Sequence, residues 1–300
     1  MPSSDRAPRD SSYARGILLV MVAGGFWSLG GILVRLIEAV GPWQILLVRS
    51  ASLSIALFMV LLVRHRGALL GELRGIGLDG VVGALCLGVA FTGFIFSLIH
   101  TSVANAVFML SASPFVAAPL AWMLLGEPVR RGTWIAMSLA LVGVAVMVAG
   151  GIGAGALFGN LAALAAVLGF AGFAVTLRRK RLTDSLTLAC LAGIFTAVAA
   201  AALVDDFAYS TYDFAVCAVM GVIQIGAGMV LFTLGSRHVP AVELTLVSLT
   251  EVVLAPIWVW LWIAETPRPW TLIGGAVVIA ALIGHALSGM RRKPPPLGAV

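Results

Sequence analysis

The sequence predicts an all-α integral membrane protein of ten transmembrane helices, built as two five-helix halves in opposite orientations. Three observations lead there. Hydrophobic residues make up 61% of the 300 and charged residues only 11%, whereas a soluble surface needs about a quarter charged. The apolar residues fall into ten continuous runs, each long enough for a helix to cross ~30 Å of hydrocarbon. Five spans per half is an odd number, so a duplicated half must insert upside down relative to the first.

Residues 1–15 are polar and are expected to form a disordered cytoplasmic N-terminus. The first apolar run, 16–37, is too long for the ~7–15-residue core of a signal peptide and is read as an uncleaved span. Runs at 43–63, 76–98, 102–125 and 132–150 complete the first half, residues 16–150. The second half, 151–289, holds runs at 156–177, 185–204, 213–235, 239–263 and 270–289, followed by a cytoplasmic tail, 290–300. Runs this continuous lack the alternation of barrel strands, so each must satisfy its own backbone as a helix. With the N-terminus inside, sixteen of the nineteen Lys and Arg fall in cytoplasmic segments and only Arg268 in an outer loop. That asymmetry puts both termini in the cytoplasm, and the expected location is a bacterial-type inner membrane.

The net charge of +6 therefore reflects loop cations and not a nucleic-acid surface. Cys86, Cys190 and Cys217 sit inside apolar runs without CxxC spacing or metal-ligand neighbours, and read as small hydrophobes. No phosphate-binding loop or HExxH motif is present, so neither ATP hydrolysis nor metalloenzyme chemistry is expected, and no cofactor or metal is assigned.

The two halves carry a weak internal repeat. An offset of 138 residues lays His100 on His238, Asn105 on Glu243, Ser113 on Glu251, Trp122 on Trp260 and Glu127 on Glu265. An offset of 143 lays Trp27 on Phe170 and Arg35 on Arg178. Polar positions meet polar positions in a background of Ala, Leu and Val.

The stretch VPAVELTLVSLTEVVLAPIWVWLWIAETP, residues 239–267, carries Glu243 and Glu251 inside an apolar run. A charge in hydrocarbon costs at least ~2.5 kcal/mol, so each carboxylate should face protein or water. Glu251 lies near the bilayer midplane, and is a substrate ligand, a proton carrier or a structural partner of a buried hydroxyl. Glu243, nearer the cytoplasmic end, is the second proton-coupling candidate. Arg49, six residues into its span, is a gating or ion-pair candidate, a ligand for a substrate carboxylate, or a packing arginine whose head snorkels to the interface. Trp27 and Ser28, with Phe91, Phe94, Phe170 and Phe173, either wall a ligand cavity or pack in the bundle. Asn105, Ser113, Gln224 and Ser248 either hydrogen-bond a substrate or join helices to each other. Arg35 reads as a surface residue, Glu127 and Glu265 as loop salt bridges or caps, and Trp258 as part of an interfacial belt.

The run SVANAVFMLSASPFVAAPLAWMLLGEPV (102–129), with RGTWIAMSLALVGVAVMV after it, resembles the fourth and fifth spans of an EamA-type repeat of the drug/metabolite transporter superfamily. LTEVVLAPIWVWLWIAETP resembles the same element in a second repeat, and GFWSLGGILVR (25–35) and LLVRSASLSIAL (46–57) fit the pattern. One departure is Glu251-Val252, where many members place Glu-Pro; the helix break is then expected at Pro256. The resemblance implies two inverted EamA-like repeats around a central cavity lined by spans 1, 3, 4, 6, 8 and 9. It implies a secondary active transporter working by alternating access, with export the expected direction and no enzymatic activity. One deep carboxylate among few cations suits an amino acid or amphipathic amine better than a phosphorylated solute, with proton coupling possible through Glu251. The expected partners are a small-molecule substrate and the lipid bilayer, and the oligomeric state is left open. An uncoupled facilitator is the alternative. A membrane enzyme or a channel stands far behind, because His65, His100, His238 and His285 are scattered and nothing resembles a selectivity filter.

Overall fold

A backbone surrounded by hydrocarbon can pair only with itself, and each apolar run accordingly becomes a helix. The computed structural model describes residues 7–65, 75–126, 131–149, 154–179, 185–236, 238 and 241–290, and leaves outside that description the side chains at 7–12, 65, 133, 148, 154–156, 178–179, 241–249 and 285–290. Among the described residues all regular structure is helical. The first run forms α1 (Ala7–Ser28) and α2 (Gly30–Arg35), and the second forms α3 (Pro42–His65). The third is α4 (Gly77–His100), the fourth α5 (Val103–Ser111) and α6 (Ser113–Leu125), and the fifth α7 (Arg131–Ala149). The second half contributes α8 (Ala154–Arg179) and α9 (Ser185–Leu203). It continues with α10 (Thr211–Val219), a π-helical segment (Met220–Ala227) and α11 (Gly228–Gly235), then α12 (Ala241–Ile263) and α13 (Pro269–Met290).

Seven of these stretches are long and apolar enough to cross a membrane, and three further apolar helices, Trp134–Met147, Thr250–Ile263 and Pro269–Gly284, are shorter within the described residues. Side chains such as Val63, Met123 and Leu141 are 70% or more exposed, an apolar exterior at home in lipid and out of place in water. The chain is a multi-pass membrane protein.

Local chemistry sets where the helices start and break. Ser102 and Ser210 are extended residues whose hydroxyls accept the backbone N–H of Asn105 and Asp213, capping α5 and α10. Pro114 has no N–H to offer the preceding turn, and the fourth run breaks at Ala112 between α5 and α6. Pro256 has no such effect. The helix α12 runs through it unbroken, so the break expected there is absent, its freed carbonyl tolerated inside a packed bundle.

The packing places distant segments together. Helix α1 lies against α11 and α12, α4 against α8 and α9, and α3 against α9 and the π-helical segment, while α7 pairs with α13 and α6 with α8. The largest core cluster is built from α5 (Val103 to Met109) with Ile45, Leu46, Ile95 and Leu98. A second gathers Leu53, Leu57, Leu87, Phe173 and Leu188.

Candidate functional site

The meeting of α1, α12 and the π-helical segment gathers four of the expected residues: Trp27, Ser28, Gln224 and Glu251. Gln224 Nε2 donates to the Trp27 carbonyl at 3.1 Å. The Trp27 indole packs at 5.3 Å and 40° on Phe232, and Gly228 makes room for it, since a Cβ there would run into the indole nitrogen. Ser28 Oγ donates to the Gly25 carbonyl at 2.6 Å and accepts from Trp258 Nε1 at 2.9 Å. Trp258, expected in an interfacial belt, thus turns its polar edge inward.

Glu251 stands beside this cluster. A Cβ on Gly24 would lie 3.4 Å from Thr250 Cβ and 3.5 Å from the Glu251 nitrogen, so α1 and α12 approach closely at this level. The Glu251 side chain is half-buried and makes no ion pair or hydrogen bond with a described residue. Within the cluster, Trp27 Nε1 and Gln224 Oε1 are buried with no hydrogen-bond partner among the described residues. Three polar groups without described partners, on three packed elements, are what a site for a polar ligand requires.

From α4, Phe94 approaches the same region: a Cβ on Gly30 would be 3.0 Å from Gln224 Nε2 and 3.7 Å from Phe94 Cε1. Phe91, one turn earlier, underlies Arg49, whose guanidinium carbon is 5.3 Å from the ring centroid. Phe170 and Phe173 pair with each other at 6.0 Å, Phe173 in the second core cluster and Phe170 exposed. Ser113 is buried at the start of α6. Asn105 Nδ2 is committed to protein partners, donating to Asn160 Oδ1 on α8 at 2.6 Å and to Thr101 Oγ1, between α4 and α5, at 3.1 Å, while its buried Oδ1 has no partner among the described residues. Glu243 and Ser248 lie on α12 with side chains outside the description, and Glu127 lies outside the described residues altogether.

Three polar relationships escaped the sequence reading. Arg35 is not a lone surface cation but pairs with Glu265. Asn160 receives Asn105. Asp213 is fully buried, accepting from the Glu38 N–H at 3.0 Å through Oδ1 and leaving Oδ2 unpartnered. The signal for Asp213 was available: Ser210 three residues earlier is a helix-cap pattern that draws the acid into the first turn.

The model of the EamA-like transporter family matches this chain twice, over residues 14–149 and 155–286. The chain belongs to that family. This EamA transporter, a member of the drug/metabolite transporter superfamily as its motifs suggested, is similar to the pseudopaline exporter CntI of Pseudomonas aeruginosa in two strains. Each is 26% identical over 278 residues, covering 89% of this chain and 94% of the exporter. Protein RarD of Streptomyces exfoliatus is 28% identical over 145 residues, 47% of this chain and 46% of its own. A solved crystal structure, 19% identical, superposes with a TM-score of 0.68 over 92% of this EamA transporter and 99% of that chain. It carries the fold alone.

Proposed function

We propose that this protein is a secondary active transporter that exports a small organic metabolite by alternating access, with an amino acid or amphipathic amine as cargo and Glu251 as the cation-binding and proton-coupling group. The observation that carries the reading is the Glu251 side chain: half-buried in an apolar helix whose backbone at this residue packs close to Gly24 of α1, and without a partner among the described residues. A protonated amine would neutralise it, and a proton would do so when the cargo has left. Trp27 and Phe232 supply the aromatic surface that favours an organic cation.

Alternating access needs two halves that exchange roles, and the packing supports an inverted repeat. The contact of α4 with α8 across the two halves has its mate in α1 with α11, and α6 on α8 has its mate in α12 on α1. The pairs α3 with α9 and α7 with α13 are their own mates. The double match of one family model, once per half, supports the same boundaries. Export is carried over from the similarity to an exporter of pseudopaline. The Lys and Arg bias supports an inner-membrane protein with both termini in the cytoplasm.

Counterflow in proteoliposomes tests this, with wild type beside Glu251→Gln under equal pH and under a pH gradient. Saturable exchange driven by the gradient in wild type, and lost in the variant, is the expected result. Wild-type exchange indifferent to the gradient, and equal in Glu251→Gln, would leave an uncoupled facilitator in its place.

A further inference from the structure

Arg49 is a deeply buried charge with little compensation among the described residues. Its side chain is 2% exposed, and its Nε and Nη1 have no hydrogen-bond partner. The Phe91 face beneath it offsets part of the charge. A buried guanidinium with nothing else to pair with is nonetheless strongly unfavourable, and some anion must complete it. No described carboxylate does. Asp213 lies one helical turn before Cys217, a residue within electrostatic reach of both Arg49 and Asp213, yet no ion pair joins acid and arginine. An arginine serving as one half of a closed gate would hold its partner here.

The surroundings favour a ligand. The π-helical segment comes close to α3 at this level, where a Cβ on Gly221 would collide with the Arg49 carbonyl and stand 2.8 Å from the Leu53 nitrogen. Further along the same segment, the unpartnered Oε1 of Gln224 belongs to the cluster that holds Trp27. Phe91, half-buried under the guanidinium, and Phe94, beside Gln224, lie on one helix and link Arg49 to that cluster.

We infer that Arg49 binds the carboxylate of the transported solute, so that the cargo is a zwitterion carrying a carboxylate and an amine rather than a simple amphipathic amine. The inference rests on the carrier reading above and narrows it. A carboxylate supplies the missing negative charge and accepts from the free guanidinium N–H groups, and arginine is the side chain best suited to hold it. The amine end of the same solute goes to Glu251, a carboxylate on a membrane-spanning helix that also has no described partner.

The test is counterflow with the full chain in proteoliposomes, using matched pairs: phenylalanine against phenethylamine, leucine against 3-methylbutylamine, histidine against histamine, each measured above protein-free vesicles. Wild type is expected to exchange at least one amino acid and to exchange its decarboxylated partner at least about tenfold more slowly. Arg49→Gln should raise the half-saturating concentration of that amino acid by about tenfold or more, and Arg49→Lys should recover part of the loss by restoring charge without the planar fork. Should Arg49→Gln fail to fold, the selectivity of wild type within a pair decides the matter alone. Equal exchange of amine and amino acid overturns the inference and leaves the carrier reading standing. Absence of exchange for every compound overturns the carrier reading, and the inference falls with it.

Discussion

Arg35 Nε lies 2.7 Å from Glu265 Oε2, joining the end of α2 to the segment between α12 and α13. The guanidinium also donates to the carbonyls of Leu98 (2.6 Å) and Thr101 (2.9 Å) at the end of α4, and Glu265 Oε1 accepts the Val103 N–H at 2.8 Å. One ion pair therefore fastens four chain segments at the same end of the bundle. Arg35→Ala removes three donated bonds and is expected to cost about 2–3 kcal/mol, whereas Glu265→Gln keeps the shape and should cost about 1 kcal/mol. Thermal unfolding of the purified variants checks the order; equal shifts would contradict it.

The Asn105–Asn160 contact is expected to be structural glue. Asn105→Ala leaves the Asn160 amide oxygen without its donor, while replacing both residues with leucine removes the need for either. A double-mutant cycle should give a coupling of about 0.6–1.7 kcal/mol, with half-saturation for substrate unchanged within twofold. A large rise in half-saturation at unchanged stability would instead make Asn105 a ligand.

Glu251→Gln should melt at or above the wild-type temperature, because the carboxylate it replaces has no described partner to lose and a neutral amide is less costly to bury. A drop of several degrees would show that Glu251 holds the bundle together rather than waiting for cargo.

Gly228→Ala drives a methyl into the Trp27 indole and is expected to destabilise by about 1–3 kcal/mol and to slow transport with it. Pairing it with Trp27→Phe, which removes the ring edge in the way, should return most of the stability but not the transport rate. Melting curves and counterflow on the single and double variants separate the two effects.

The architecture was largely legible in the sequence because hydrocarbon imposes one rule on every span, and the rule is written in composition. The apolar runs could be read from composition and the family from the EamA-like motifs, and the same resemblance put Trp27, Ser28, Gln224 and Glu251 on spans expected to line one cavity. What escaped was the pairing of polar groups across the bundle. Arg35 and Glu265 are 230 residues apart, and each taken alone looks like a helix-end charge. Trp258 looked like a belt residue for the same reason: its apolar neighbours describe its depth, while its bond to Ser28 depends on how two helices are turned. Helix breaks divided along similar lines. Pro114 interrupts its helix and Pro256 does not, a difference that lies in their surroundings and not in the residue.

The π-helical segment from Met220 to Ala227 has a consequence for how this chain tolerates change. A π turn accommodates an additional residue compared with an α turn, so everything from Gly228 onward is rotated by roughly 100° from where an uninterrupted α-helix would set it. Deleting a single residue between Met220 and Ala227 would leave a helix still long enough to cross the bilayer, yet turn Gly228 away from Trp27 and put a side chain in its place. Loss of one residue there is thus far more damaging than a change of one residue for another, and the length of this segment, more than its letters, is what natural variation in the chain has to keep.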